Sequence, residues 1–399
     1  MKYIILIGDG MADHPIDSLN GKTPLEEAKT LNMDSLASAG ILGIFKSVPE
    51  GYPPGSDVAN LSILGYDPEK YYTGRSPLEA ASIGVELSPE DVAFRCNLVS
   101  FRVEGGEVYM HDYSAGHIST EEGAEIMESL NAELTKFNIE FHTGTSYRHL
   151  MVWHGGKIAL ELTPPHDISD RQVEGNIPKG DGAEMLLEIM GASEKILKDH
   201  PVNINRREAG KNTADSVWLW GHGRAPVMES FEERHGISGS MISAVDLMNG
   251  IGIYAGLKVI KVPGVTGYID TNYKGKVDSA LASLKENDFV CVHVEAPDEA
   301  GHQGSLKDKL RAIEDFDSLV VGPVFEGLKE FGDFHLLVLP DHYTPVEMKT
   351  HTSEPVPFVL FKSESADGAR EARPFTENAA NASGVVIEEA EALSREFFS

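Results

Sequence analysis

The sequence predicts an α/β fold: a mostly parallel sheet with helices on both faces, interrupted by an inserted α+β domain. Two observations carry that expectation. Strand and helix signals alternate over the first ninety residues and again from about Pro201, whereas the stretch between reads as antiparallel strand pairs. In addition, three apolar strand-like runs each end in an acidic cluster: Tyr3–Ile7 before Gly8-Asp9-Gly10, Phe289–Val294 before Asp298 and His302, and His335–Leu339 before Asp341-His342. Ligands of open α/β sheets gather at the carboxyl ends of parallel strands. The three runs should therefore deliver their acidic groups to one sheet edge.

Taken in order, Tyr3–Ile7 is a strand, residues 24–40 carry a helix signal opened by Thr23-Pro24, and Ile41–Val48 is a strand. Val92–Arg102 and Gly106–Tyr109 read as antiparallel strands joined near Gly105. Ile118–Asn138 is helical, Glu140–His142 and His149–Trp153 are strands, and Gly155-Gly156 reads as a hairpin turn before Lys157–Leu162. Then come a strand at Ser216–Trp220, a helix at Ser240–Met248, a strand at Lys258–Val262 and a helix at Lys276–Lys285. After the Phe289–Val294 strand follow a helix over Lys307–Phe331, strands at His335–Leu339 and Pro357–Phe361, and a closing helix over Asn378–Glu396. The first segment is too short to complete a sheet and should rejoin the last half. The expected division is a metal-binding core of residues 1–87 and 206–399, with an inserted substrate-binding domain at 88–205. That insertion should be able to move against the core and shield the chemistry from water.

At 399 residues the chain suits two domains, or one large domain with an insertion. A formal net charge of −29 argues against nucleic acid as a partner, because a phosphate backbone wants a basic face. It also means that an anionic substrate needs locally clustered arginines. Two cysteines, Cys96 and Cys291, make no disulfide framework, and Cys291 falls inside a strand signal as a small core residue. Met1-Lys2 runs straight into a strand, with no signal-peptide pattern, and no apolar run reaches membrane-spanning length. A cytoplasmic protein without membrane partner is expected.

Asp9, Asp298, His302, Asp341, His342 and His351 make a carboxylate–imidazole set without thiolates, which suits hard or borderline divalent metals. Six such groups exceed the needs of one ion. A lone Asp at a strand end commonly caps a helix, but Asp298 and His302 stand i, i+4, on one face of a helical turn. Of the 15 histidines, His302, His342 and His351 are the ones in such a context. In Pro53-Pro54-Gly55-Ser56-Asp57, a rigid turn leads into a helix and puts Ser56 at its N-terminus, where an anion is favoured. A metal beside it would lower the hydroxyl pKa and make a nucleophile, the alternative being a plain N-cap. Arg148, Arg171, Arg206, Arg207 and Arg224 stand in or beside polar loops and could grip phosphate or carboxylate, and Arg75 is similar. Gly21-Lys22-Thr23 is no P-loop, since Ile16 occupies the place of the required glycine.

Gly8-Asp9-Gly10-Met11, Pro54-Gly55-Ser56-Asp57, Ala296-Pro297-Asp298-Glu299-Ala300-Gly301-His302 and Pro340-Asp341-His342, in this order, resemble the archaeal-type cofactor-independent phosphoglycerate mutases of the alkaline phosphatase superfamily. The resemblance covers nearly the whole chain and implies an alkaline-phosphatase-like core. It implies two divalent ions, manganese first with zinc, cobalt or magnesium as alternatives. One would be held by Asp9, Ser56, Asp341 and His342, the other by Asp298, His302 and His351. Ser56 would take the phosphoryl group of 3-phosphoglycerate as a phosphoserine and return it to the other hydroxyl. Arginines and His117 would hold the small phosphorylated substrate. His117 stands where archaeal members often carry Arg, and Trp218–Gly223 and Thr163–Asp167 look like a bacterial branch proposed to include homoserine kinases. The alternatives are thus a homoserine kinase-like phosphotransferase and a metal-dependent phosphatase.

Overall fold

Apolar runs from the two ends of the chain build one eight-stranded sheet. The computed structural model describes residues 1–365 and 372–399. Contacts divide it into two units, Met1–Tyr72 with Val227–Ser399, and Thr73–Pro226.

In the first unit the strand order is Lys258–Val259, Gly239–Ile242, Phe289–Val294, Lys2–Gly8, Phe334–Leu339, Val356–Lys362, Ile41–Phe45, Val386–Ile387. Val356–Lys362 runs antiparallel to both neighbours, and the remaining pairings are parallel. The three central strands are apolar and almost wholly buried, as strands covered on both faces must be. Tyr3 pairs with Phe289 on one side and with His335 on the other, so the first strand sits between the two that carry the other acidic clusters. Helices Leu31–Ala39, Tyr273–Ser283 and Leu306–Phe316 bury Met33, Leu36, Val277, Ala280, Ile313 and Phe316 in the same core.

Several elements depart from the sequence expectation for identifiable reasons. The helix signal over residues 24–40 is split into Pro24–Glu27 and Leu31–Ala39, because Asp317 from a distant segment accepts from the Asn32 and Met33 amides (3.2 and 2.7 Å). Ser240 opens no helix: Gly239–Ile242 is a strand between two parallel partners, and the helix begins at Asp246. The long helix beginning at Leu306 passes through a π-helical turn at Asp317–Val321. The closing helix is likewise two pieces, Glu377–Ala382 and Ala390–Phe398, around the edge strand Val386–Ile387.

The second unit has an antiparallel sheet ordered Glu107–Asp112, Val92–Glu104, Arg148–Trp153, Ile139–Thr145, with Ser216–Gly223 also paired to Val92–Glu104. That last strand had been expected in the core, and its pairing carries the unit's border to Pro226 rather than 205. Helix Ser76–Ser82 packs on the Val92–Glu104 strand and moves the other border to Thr73 rather than 88. Leu160–Glu161 pairs with Lys179–Gly180, so Gly155-Gly156 closes no hairpin. Cys96 and Cys291 are both free and buried. Among the described residues no helix is long and apolar enough to cross a membrane.

Beneath the loops of the first unit, Lys309 is fully buried and donates to Asp13 Oδ2 (2.8 Å), Ala12 O (3.2 Å) and Thr344 O (2.8 Å). All three ammonium hydrogens are used, which offsets the cost of burying the charge. Removing one partner of such a pair costs about 3–5 kcal/mol. Lys309 thus fastens the loop after the first strand to the loop after Phe334–Leu339.

Candidate metal centre

Three parallel strands end side by side, and each hands its next residues to the same place. Gly8 aligns with Val294, and Ile7 with Leu339, so Asp9 emerges between the other two strand ends. Gly10 has φ +61, and a Cβ there would lie 2.5 Å from Thr344 Oγ1 and 2.8 Å from the Asp298 backbone. Only glycine allows that approach. After Val294 the chain turns directly into helix Ala296–His302, started by Pro297, which places Asp298 and His302 one turn apart, 3.3 Å from each other.

Ser56 is the first residue of helix Ser56–Ile63, and Gly55 is its N-cap. The serine hydroxyl is therefore not spent on capping. Its Oγ lies 3.2 Å from His342 Nε2. Asn60, one turn on, donates Nδ2 to Ser56 O and to Asp341 Oδ2, both at 2.8 Å, and so ties the helix to the Asp341 loop.

The donors form two linked sets. His342 Nε2 lies 3.5 Å from Asp9 Oδ1 and 3.5 Å from Asp341 Oδ2, with Ser56 Oγ beside it. Asp298 lies 3.3 Å from His302 and 3.4 Å from His351, whose Nε2 atoms are 2.8 Å apart. Thr344 Oγ1 joins the sets, donating to Asp298 Oδ1 at 2.5 Å and standing 3.2 Å from His342 Nδ1. His342 thus links Asp9, Asp341 and Ser56 to the other set, and Asp298, His342 and His351 each offer a donor atom within 4.8 Å of the others. The second metal-competent group of buried donors, Asp9, His293 and Asp341, includes a histidine that sequence reasoning missed, because it lies inside an apolar strand and reads as core.

Asp9, Asp298 and Asp341 are all buried, and among the described residues no lysine or arginine forms an ion pair with any of them. Burial pushes the Asp9 carboxyl well above its usual range, with Asp341 and Asp298 adding repulsion. Burial acts the same way on Asp298, but hydrogen bonds from His302 and His351 overcome it and hold that carboxyl low. His302 is raised to about 9, its burial outweighed by Asp298. Asp9 Oδ1 and His293 Nε2 are buried without a hydrogen-bond partner. Three buried carboxylates, orphaned donor atoms and oxygen–nitrogen chemistry fit divalent cations.

The profile of the 2,3-bisphosphoglycerate-independent phosphoglycerate mutase family matches residues 37–203. A Geobacter sulfurreducens protein named probable 2,3-bisphosphoglycerate-independent phosphoglycerate mutase is 56% identical over 389 residues, covering 98% of this chain and 97% of its own. The chain belongs to this mutase family. The Methanosarcina acetivorans mutase is 53% identical over 370 residues, 92% of each chain. Among solved structures, a Pyrococcus horikoshii protein matches with a TM-score of 0.82 at 30% identity, covering 100% of this chain and 97% of that one. The cofactor-independent phosphoglycerate mutase of Thermoplasma acidophilum matches with a TM-score of 0.66 at 26% identity, over 100% and 99%.

In this member of the mutase family the arginines expected at the substrate divide sharply. Arg206 is buried and committed: Nε donates to Asn212 O (2.7 Å), Nη1 to Glu122 (2.5 Å) and Nη2 to Ala115 O (2.6 Å). These bonds use three of its five N–H donors and brace the second unit from a buried position. Arg207 donates to Lys198 O, and Arg224 to Glu90 and Gly156 O. Arg171 is exposed. Arg148 lies over the Tyr147 ring (5.4 Å), and His117 packs edge-on to the same tyrosine. Arg95, unnoticed in the sequence because it sits within a strand, ion-pairs with Glu79 (3.1 Å) and stacks on Trp220 (4.5 Å). Glu79 is shared with Arg75 (3.0 Å). Burial, assisted by repulsion from Arg75 and Arg148, lowers Arg95 to about 10 despite Glu79.

Proposed function

We propose that this chain interconverts 3-phosphoglycerate and 2-phosphoglycerate through a phosphoserine at Ser56. The observation that carries the reading is the uncapped Ser56 hydroxyl at a helix N-terminus, beside two carboxylate–imidazole sets. Asp9, Ser56, Asp341 and His342 would hold one divalent ion, and Asp298, His302 and His351 the other, with manganese the first candidate. When bound, the ions supply positive charge that lowers the serine pKa and balances the transferring phosphoryl group. Ser56 Oγ gives up its proton and forms the bond to phosphorus as the glycerate O3–P bond breaks, and the freed C3 oxygen takes up a proton to become the hydroxyl. The return step runs the same way onto the C2 oxygen. The N-terminal end of helix Ser56–Ile63 favours the phosphoryl charge. Asn60 keeps the serine backbone fixed against Asp341.

The second unit carries a group of arginines whose chemistry suits a carboxylate. Arg75 and Arg95 both ion-pair with Glu79, and Arg148 is close enough to Arg95 to repel its charge, so three guanidinium groups gather there in a chain of net −29. Tyr113, Tyr147, His166 and Trp220 form a continuous aromatic wall beside it. Such a cluster suits an anionic substrate better than the ammonium of homoserine. Arg148→Ala is expected to raise KM about tenfold or more and to lower kcat, since a fixed guanidinium both binds and positions. An unchanged KM would remove Arg148 from the substrate site.

The direct test gives purified protein manganese and 3-phosphoglycerate, coupled to enolase, alongside ATP with homoserine. Turnover in the first assay is expected. Phosphorylation of homoserine outrunning it would overturn the mutase reading.

A further inference from the structure

We propose that the first unit holds a second ligand site, for a small organic ammonium ion, in a cavity floored by Asp13, Tyr343 and Glu377. The cavity has a volume of about 320 Å³, at the lower end of the roughly 300–1,000 Å³ usual for small-molecule sites. It shares no lining residue with the Ser56 centre. Asp13 and Tyr343 nevertheless belong to the loops that follow Lys2–Gly8 and Phe334–Leu339, so an occupant would touch both.

Three carboxylates line the cavity, Asp13, Glu354 and Glu377, with one histidine and, among the described residues, no lysine or arginine. Asp13 is answered by Lys309 (2.8 Å), and Glu354 stands 2.7 Å from His14 Nε2. Glu377 forms no ion pair among the described residues. Its Oε1 accepts from the Asp13 amide (3.1 Å) and its Oε2 from Thr23 Oγ1 (2.6 Å). Burial pushes this carboxyl up to about 7, despite both bonds and the pull of Lys309.

Tyr343 points the same way independently. It is 9% exposed, lines the cavity, and its hydroxyl has no hydrogen-bond partner among the described residues. Buried tyrosine hydroxyls ordinarily find one. This hydroxyl stands in the field of Glu377, Glu354 and Asp13, all of the same lining. An ammonium group has three N–H donors, so it can serve Glu377 and the Tyr343 oxygen at once. Pro15, Ile44 and Pro355 offer apolar surface to a short carbon chain. A bare metal ion has no such fit: among the described residues, no three of the cavity's carboxylate and imidazole groups bring donor atoms within 4.8 Å of one another.

The test is isothermal titration calorimetry of the full chain, loaded with Mn2+, with n-butylammonium chloride as the probe. A background of about 0.15 M KCl screens diffuse attraction to the acidic surface. Saturable binding of one n-butylammonium per chain is expected in wild type. Glu377→Gln should weaken it at least about tenfold, since a bond to a charged group is lost, and Tyr343→Phe about threefold. Asn381→Lys, at an exposed position on the rim, sets a competing ammonium there and should weaken binding about tenfold. If the two buried variants fail to fold, the rim variant decides. No saturable binding in wild type would overturn the proposal, as would binding that no folded variant weakens. Equal affinity for n-butanol, uncharged and of nearly the same shape, would show an apolar pocket and defeat the ammonium reading.

Discussion

Ser56→Ala is expected to abolish turnover while the protein folds and binds substrate. The substitution sits at the first helical position, not at the cap, and the side-chain contact it removes is the one to His342 Nε2. The loss in stability should be under about 1 kcal/mol, the usual scale even for a true capping residue. Loss of an attacking group, by contrast, costs about 10⁴-fold or more in kcat. Thermal melts and the enolase-coupled assay would be run on the same preparations. Intact-mass spectrometry of wild type with substrate should find one added phosphate, located to Ser56 by peptide mapping and absent from the variant. Substantial activity in the alanine variant would reject covalent transfer.

The second large effect concerns the metals. Asp298→Ala should release the ion of the Asp298–His302–His351 set, and His342→Ala the ion beside Ser56. Either loss should reduce turnover by at least about 10³-fold, because a two-ion clamp fails when one side leaves. The variants are informative as a pair. Asp298 accepts from Thr344 and faces two imidazoles, so its removal dismantles one set while the contacts of His342 with Asp9 and Asp341 persist. Elemental analysis should therefore find a partial loss in each variant. Full metal content with activity intact in either would remove that residue from the centre.

The strands that carry Asp9, Asp298 and Asp341 were legible because strands buried on both faces read as uninterrupted apolar runs ending in polar groups. The same property hid His293 and Arg95. Each sits within such a run, where periodicity assigns a residue to the core and says nothing of what waits at the end of its side chain. Gly239–Ile242 was misread because four residues are too few to show a period, and parallel pairing on both sides overrides local preference. The helix at Leu31 owes its start to Asp317, 286 positions from it in the numbering, a partner that no local signal announces. Arg206 stands among polar residues, as a ligand-binding arginine would. Its commitment to Glu122, Asn212 and Ala115 arises from packing within the second unit.

The central place of the first strand bears on how the chain is made. Lys2–Gly8 finds both its partners in Phe289–Val294 and Phe334–Leu339. Those partners leave the ribosome long after it. At roughly 5–20 residues per second, the N-terminal strand waits about 15–60 s before its first neighbour exists. Meanwhile Thr73–Pro226, whose strands pair among themselves, is already complete. Closing so long a loop is entropically slow, and an unpaired apolar strand is a hazard while it waits. The cluster of Asp9, Asp298 and Asp341 therefore cannot assemble until Phe334–Leu339 and the loop after it have been made.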